Sequence, residues 1–190
     1  MVQAMGIGNV GQPGKIIKRK FRYTIQFSGP WGKVPEHYVK VAARPQLEID
    51  ELEIQFLNAS TWIPGKGRWQ PLNITYIDVA GSEMQGLYDW AATIYDFQTY
   101  GQKGIDLPQS ERKGWAGDGL LALYDGCGAV VEKWTLKNCF IQAINFGDLD
   151  YSSNDECTIE VTVRYDKAFI VPIAGKCGVT PNGQCKGCDS

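Results

Sequence analysis

The residues with the chemistry for catalysis or ligation are few and scattered. One histidine, His37, is present, so any Ser–His or Cys–His nucleophile system would have to use it as base. It stands just before a strand pattern with no flanking motif and is expected to be a solvated or hydrogen-bonded side chain. Cys177, Cys185 and Cys188 spell C-x7-C-x2-C in a Gly-rich tail. The last pair has the knuckle spacing of zinc sites, but a structural zinc takes four ligands and three thiols are local. A fourth ligand would come from Cys127, His37 or another subunit. Free thiols, a disulfide formed after release from the cell, and a metal or iron–sulfur centre stay open for this trio. Asp148, Asp150 and Asp155 share one loop without the spacing of a calcium loop, and turn capping is their expected role. GIGNVG from Gly6 fits G-x-G-x-x-G but neither follows a strand nor opens a helix. GKGRW from Gly65 reads as a turn. No catalytic or cofactor-binding residue is therefore assigned, and no enzyme is expected.

The elements that would position such residues are mostly strands. Cys157, Ile159, Val161, Val163 and Tyr165 alternate with Thr158, Glu160, Thr162 and Arg164, the period of a half-buried strand. Asn138 to Phe146 reads as its partner, with Phe140, Gln142, Ile144 and Phe146 on one face and Cys139, Ile141, Ala143 and Asn145 on the other. Gly147 to Asp155 makes an elaborate turn between them. Upstream, Phe21, Tyr23, Ile25 and Phe27 alternate, and a short strand YVKVAAR runs into Pro45. Gln46 to Leu57 changes phase, with Leu47 and Ile49 on one parity and Leu52, Ile54 and Phe56 on the other. A bulge near Asp50, or two short strands, would explain it. A turn at Asn58 to Ser60, a short strand TWIP, a tight GKG loop and a strand from Trp69 to Val79 are expected next.

One helix interrupts the β pattern. Ser82 and Gln85 have capping-box spacing, and Met84, Leu87, Tyr88, Ala91, Ile94 and Tyr95 recur at three and four. The expected helix spans about residues 82–97, covering one side of a sheet. The turn DGCG, Asp125 to Gly128, joins two strands as a hairpin. Cys127, Cys139 and Cys157, beside or within strand patterns, are expected to be buried free thiols.

At 190 residues with 44% hydrophobic and 21% charged residues, the chain suits one domain with a sizeable core. A formal net charge of −2 gives no nucleic-acid footprint. No apolar run approaches a membrane span and no leader pattern opens the chain, so a cytoplasmic site of synthesis is expected. Three parts follow: a Gly-bearing flexible arm over 1–14, one β domain over 15–171, and a Cys/Gly-rich tail over 172–190. The long polar stretch from Gly101 to Asp118 is expected to be functional or ordered by a partner.

The order of FRYTIQF, ARPQLEIDELEIQFLNASTWIPGKGRWQPLNITYID, the helix, the hairpin, WTLKNCF and FGDLDYSSNDECTIEVTVRYDKA resembles the tail tube proteins of contractile-tailed bacteriophages. That family includes the T-even type tube protein, baseplate tube-initiator relatives and related secretion-system tubes. The likeness spans roughly Lys15 to Phe169, and its strength lies in the order of the pieces, none of which is a catalytic signature. It implies a β-sandwich or barrel of antiparallel strands flanked by one helix. It further implies homo-hexameric rings stacked into a tube in the virion tail, built in the host cytoplasm. Tail sheath and baseplate hub proteins are the implied partners, and viral DNA passes through the lumen without specific binding. The alternative is a tube-initiator ring on the baseplate hub, towards which the Cys-bearing tail points. A monomeric glycan- or ligand-binding β-sandwich using Trp31, Trp62, Trp69 and Trp115 is the competing class. Assembly specificity is expected in the arm, the Gly29 to His37 loop and the Gly101 to Asp118 loop.

Overall fold

The computed structural model describes residues 18–98, 101–102, 114–152 and 154–171. In chain order the strands are β1 (Tyr23–Gly29), β2 (Gly32–Val34), β3 (Val39–Ala42), β4 (Leu47–Phe56), β5 (Ala59–Trp69) and β6 (Leu72–Ile77). After a 3-10 turn (Ser82–Met84) and the helix α1 (Gln85–Ala92) come β7 (Tyr95–Asp96), β8 (Gly101–Gln102), β9 (Gly117–Tyr124), β10 (Val130–Asn145), β11 (Thr158–Arg164) and β12 (Lys167–Val171). The fold is mainly β and antiparallel, with one short helix.

β10 is the spine. Its first half pairs with β9 on one edge and β12 on the other, and its second half pairs with β11. From β11 the path continues through β6 to β3, and from β9 through β1 to β2. The path curls until β3 returns beside β1, where the Tyr23 hydroxyl donates to the Lys40 carbonyl at 3.1 Å. Ile159, Val161, Val163 and Tyr165 are buried as their alternation requires, but Cys157 lies outside β11 and is exposed. Thr158 is thus the first strand residue, and the Cys157 thiol falls at the mouth of the preceding turn.

β10 joins two expected strands into one of 16 residues. Two irregularities let it bend. Asn138 takes φ 56 where the β9 register shifts between Leu136 and Cys139. Opposite it, β11 gives way to β12, and the Asn138 amide donates to the Asp166 carboxylate at 2.8 Å. A second shift, between Ile141 and Ala143, re-phases the strand so that Ile141 and Ile144 both pack on the core. Simple alternation placed those two on opposite faces, because an extra residue inverts every side chain beyond it.

The helix is shorter than the sequence pattern suggests. It ends at Ala92, where the Thr93 hydroxyl donates to the Trp90 carbonyl at 2.7 Å, a local bond that competes with helix continuation. Tyr95 instead enters the two-residue strand β7 and is exposed. The capping box is not formed: Ser82 lies within the 3-10 turn, and the Gln85 amide donates to Asp89 Oδ1 at 2.8 Å. The buried face is Met84, Leu87, Trp90 and Ala91, so Trp90 is the residue the periodicity overlooked. Trp90 stacks on Trp31 with ring centroids 4.8 Å apart and meets Phe27 at 5.0 Å. The Gly29 to His37 segment is therefore no free loop. It contains β2, Val34 is fully buried, and Trp31 closes over Gly29 and Gly117.

The cysteines divide differently from the expectation. Cys127, within the turn after β9, is disulfide-bonded, which corrects its reading as a free thiol. Cys139 is a buried free thiol and Cys157 an exposed one. Burial, with a contribution from the Asp118 carboxylate, pushes the Cys139 thiol up to about 12. The arm 1–14, the tail 172–190 and most of Gly101 to Asp118 lie outside the described residues.

Two outcomes are expected. A Cβ placed on Gly86 would meet the Lys33 carbonyl oxygen at 2.5 Å. Gly86→Ala should cost about 1–3 kcal/mol through helix displacement, more than the gain in helix propensity of up to about 1 kcal/mol. Gly114→Ala, facing open space, should stay within about 0.5 kcal/mol; urea unfolding compares the two. In iodoacetamide labelling at pH 8 read by mass spectrometry, Cys157 should react in the folded protein and Cys139 only after denaturant is added.

Candidate assembly surfaces

β4 and β5 form a hairpin of their own sheet, closed by a two-residue turn in which Leu57 takes φ 54. β5 runs unbroken through Pro64, Gly65 and Gly67, so the expected short strand TWIP, the GKG loop and a strand starting at Trp69 are not what forms. The phase change is real and its bulge is visible. Pairing passes from Ile49–Gly67 to Glu51–Pro64, so Asp50 alone faces Gly65 and Lys66. The extra residue sits on β5, where glycine accepts the close approach of the Asp50 carbonyl. A ladder with few side chains to bury can thus absorb Pro and Gly, which read as loop signals in isolation.

The hairpin's attachment is confined to its base. Trp69 packs against Tyr165 with ring centroids 6.0 Å apart, and the Gln70 amide donates to the Gln46 carbonyl at 2.9 Å. Beyond that base every residue is exposed. The distal part has two unlike faces, because residues paired across strands share a face. One carries Leu52 with Ile63, then Ile54 and Phe56; the other carries Glu51, Glu53 and Trp62. Phe56 is 74% exposed, Leu52 59% and Trp62 56%. Ten residues of strand reach about 33 Å at about 3.3 Å each.

A second surface lies where β3 returns beside β1. A cavity of about 610 Å³ is walled by Lys18, Arg19, Lys20 and Tyr23 on one side and by Lys40 to Ala42 and Arg44 on the other, with Leu121 and Leu123 among its lining residues. At its edge the buried Glu132 accepts hydrogen bonds from Lys18, from Trp134 Nε1 at 2.6 Å and from Arg44 at 3.5 Å. Burial opposes ionisation of this carboxyl, but the bonds from Lys18 and Trp134 and the charges of Arg44 and Lys18 outweigh it, and its pKa is lowered. Lys40 meets Glu156 at 2.6 Å. One buried anion therefore anchors two of the five cations, and the mouth remains positive.

The sequence-derived candidates do not converge. His37 is exposed in the turn before β3. Asp150 caps a turn, accepting from the Ser152 amide at 2.9 Å and from its hydroxyl at 2.8 Å, which holds its carboxyl below the usual range. Cys177, Cys185, Cys188 and GIGNVG lie outside the described residues. Among the described residues no three His, Cys, Asp or Glu side chains are grouped to hold a metal, and no helix is long and apolar enough to cross a membrane. The four tryptophans of the glycan-platform reading have separate settings: Trp31 on Trp90, Trp69 on Tyr165, Trp115 edge-on to Phe140, and Trp62 on the hairpin. The surfaces that sequence reasoning missed are the unbacked hairpin and the basic cavity. Acidic and apolar residues interleaved along Leu47 to Phe56 were a readable sign of the first. The second joins segments far apart in the chain; the basic cluster Lys18, Arg19 and Lys20 was a readable sign of one wall, and the other wall left none.

No protein-family model matches the chain, and no curated protein sequence matches it. Solved structures do. The chain is similar to the tube-terminating cap of the anti-feeding prophage, with 18% identity and TM-score 0.63 over 89% of this chain and 100% of that one. It is similar to the sheath/tube terminator of the extracellular contractile injection system PVC in its extended state, with 18% identity and TM-score 0.60 over 80% and 95% of the two chains. A chain of the PVC sheath–tube complex gives 19% identity and TM-score 0.58 over 90% and 100%. The fold of this chain is the one found in tube and tube-terminator proteins of contractile injection systems.

Proposed function

We propose that this chain is a structural subunit of a bacteriophage tail tube, six copies closing into a ring and rings stacking into the conduit for DNA ejection. The observation that carries the reading is the β4–β5 hairpin, exposed on both faces and rich in large apolar side chains. An isolated two-stranded ribbon is marginally stable in water, and apolar patches of this kind mark interaction sites. Covering Leu52, Ile54, Phe56 and Trp62, each about half exposed or more, contributes roughly 3–6 kcal/mol if half of the usual 1.5–3 kcal/mol per side chain is realised. That matches only the low end of the association cost of about 4–15 kcal/mol. One docked hairpin is too little, and a closed ring with repeated contacts suits it better. The fold shared with contractile-system tube proteins supports the same reading. Sheath and baseplate hub proteins are the partners it implies, and DNA passes a lumen that does not grip it. The scattered candidate chemistry among the described residues supports a non-enzymatic role.

A ring that begins or ends the tube is the second reading. It draws on the likeness to the tube-terminating cap and to a chain of the anti-feeding prophage baseplate, the latter at 14% identity and TM-score 0.56 over 80% of this chain and 94% of that one.

Negative-stain microscopy of the purified protein should show rings or stacked tubes. Long tubes support the repeated subunit, single rings the tube-end role, and a strict monomer at high concentration, with and without reductant, overturns both. Replacing Ile49 to Gly67 by a two-residue hairpin turn should leave a cooperatively folding monomer, with stability changed by less than about 1 kcal/mol. Loss of the fold would show that the hairpin belongs to the core and sink its assembly role.

A further inference from the structure

We infer that Cys127 is joined to Cys177, so that residues 172–177 are strapped along β10 by a disulfide that oxidation closes and reduction opens. The strap does not depend on ring formation. Cys127 is disulfide-bonded, while Cys139 and Cys157 are free thiols. Of the six cysteines in the chain, Cys177, Cys185 and Cys188 are the partners that remain. Strand register chooses among them. Five successive pairs, from Lys137–Lys167 to Lys133–Val171, hold β12 against β10 without a shift. Cys177 lies six residues beyond Val171, and Cys127 lies six residues before Lys133. The same antiparallel register, carried onward, sets the two cysteines face to face.

Geometry and reach agree with that choice. Facing residues of an antiparallel pair have Cα atoms about 4.5–5.5 Å apart, inside the roughly 4.4–6.8 Å that a disulfide spans. Among the described residues, no strand meets Val130 to Glu132 on the side of β10 that β12 occupies further along. Pro172, which falls opposite Glu132 in this register, withholds one amide, and an edge strand tolerates that. The turn that presents Cys127 is fixed. Its amide donates to Asp125 Oδ1 at 2.7 Å, and the Ala129 amide donates to the same oxygen at 2.9 Å. Cys185 and Cys188 come after Pro181, Asn182 and Gly183, a turn signal, and either would close a longer loop without help from the register. Closure is a thiol–disulfide exchange with a low-molecular-weight disulfide as the oxidant. One cysteine thiolate attacks it, forming a mixed disulfide and releasing one thiolate; the second cysteine then attacks the protein sulfur and expels the other. The two cysteine protons end on the two released thiols. A chain made in reducing surroundings thus closes its strap on reaching oxidising ones.

The test is peptide mapping of the full-length protein, alkylated and digested without reductant. Trypsin separates residues 114–133, which carry Cys127, from 177–186, which carry Cys177 and Cys185, and from 187–190, which carry Cys188. Mass spectrometry should find 114–133 linked to 177–186, with fragmentation placing the link on Cys177. Cys185→Ser/Cys188→Ser should keep the link. Reductant should lower the parent's melting temperature by roughly 5–15 °C, because an opened cross-link frees the unfolded chain. Cys177→Ser should melt without reductant as the reduced parent does. Protein isolated reduced should form the same link, and regain the higher melting temperature, on exposure to oxidised glutathione. A link from Cys127 to Cys185 or Cys188, or to another chain as a dimer on a non-reducing gel, overturns the assignment. So does reduced protein that oxidised glutathione leaves unlinked. The expected link with an unchanged melting temperature on reduction overturns the strap. Rings are read separately by microscopy, and none of these outcomes decides the tube reading.

Discussion

Backbone hydrogen bonding along β10 is the constraint on which the rest of the molecule hangs. Sixteen residues of one strand meet three partners, and every amide and carbonyl taken from water there has to find a mate. The strand manages this while bending, because Asn138 and the shift after Ile141 release its twist at two defined points. The chain answers opposite the first of them by breaking β11 from β12 at Tyr165 and Asp166. Once that bend is set, β9 carries β1 and β2 round one way, β11 carries β6 and β3 the other, and the two arms of the sheet meet over a shared core. Helix α1 then closes the core at one side, seated by Trp90 against Phe27 and Trp31. The helix lies close because Gly86 offers no side chain to the backbone of β2.

Much of this was legible from residue order. The alternation of β11, the DGCG hairpin, the Asp150 turn and the phase change at Asp50 are local statements, each made by neighbours in the chain. What escaped local reading has a common cause. Pro64, Gly65 and Gly67 look like a loop because their strand has no core to fill, and its continuity comes only from pairing with β4. The helix stops early because one threonine hydroxyl turns back on a carbonyl of the preceding turn, a detail finer than a hydrophobic stripe. Ile144 faces inward because of a bulge two residues upstream. Cys127 looked like any strand-flanking thiol, and it is disulfide-bonded. The basic cavity joins Lys18 to Leu123 through space, and nothing in either stretch announces the other.

Among the described residues, a buried polar group is tied up while large apolar side chains are left uncovered. Here the buried polar node at Glu132 is tied up by Lys18, Arg44 and Trp134, while the strongly apolar features, Phe56, Leu57, Trp62 and the Phe169 to Val171 edge, face outward. Surface left in that condition gains most by meeting another surface, and the sheet edge at β12 gains in the same way.

The row of carboxylates on β4 also bears on colloidal behaviour. Asp50 is paired with Arg68, but Glu51 and Glu53 give every copy the same acidic strip on one face of the hairpin, so two free subunits approaching strip to strip feel repulsion over roughly a Debye length of about 8 Å at physiological salt. Stacking of identical greasy strands, the usual route from an exposed hairpin to an amorphous precipitate, is thereby penalised before contact. The same charges that decorate the hairpin oppose its pairing with a like face.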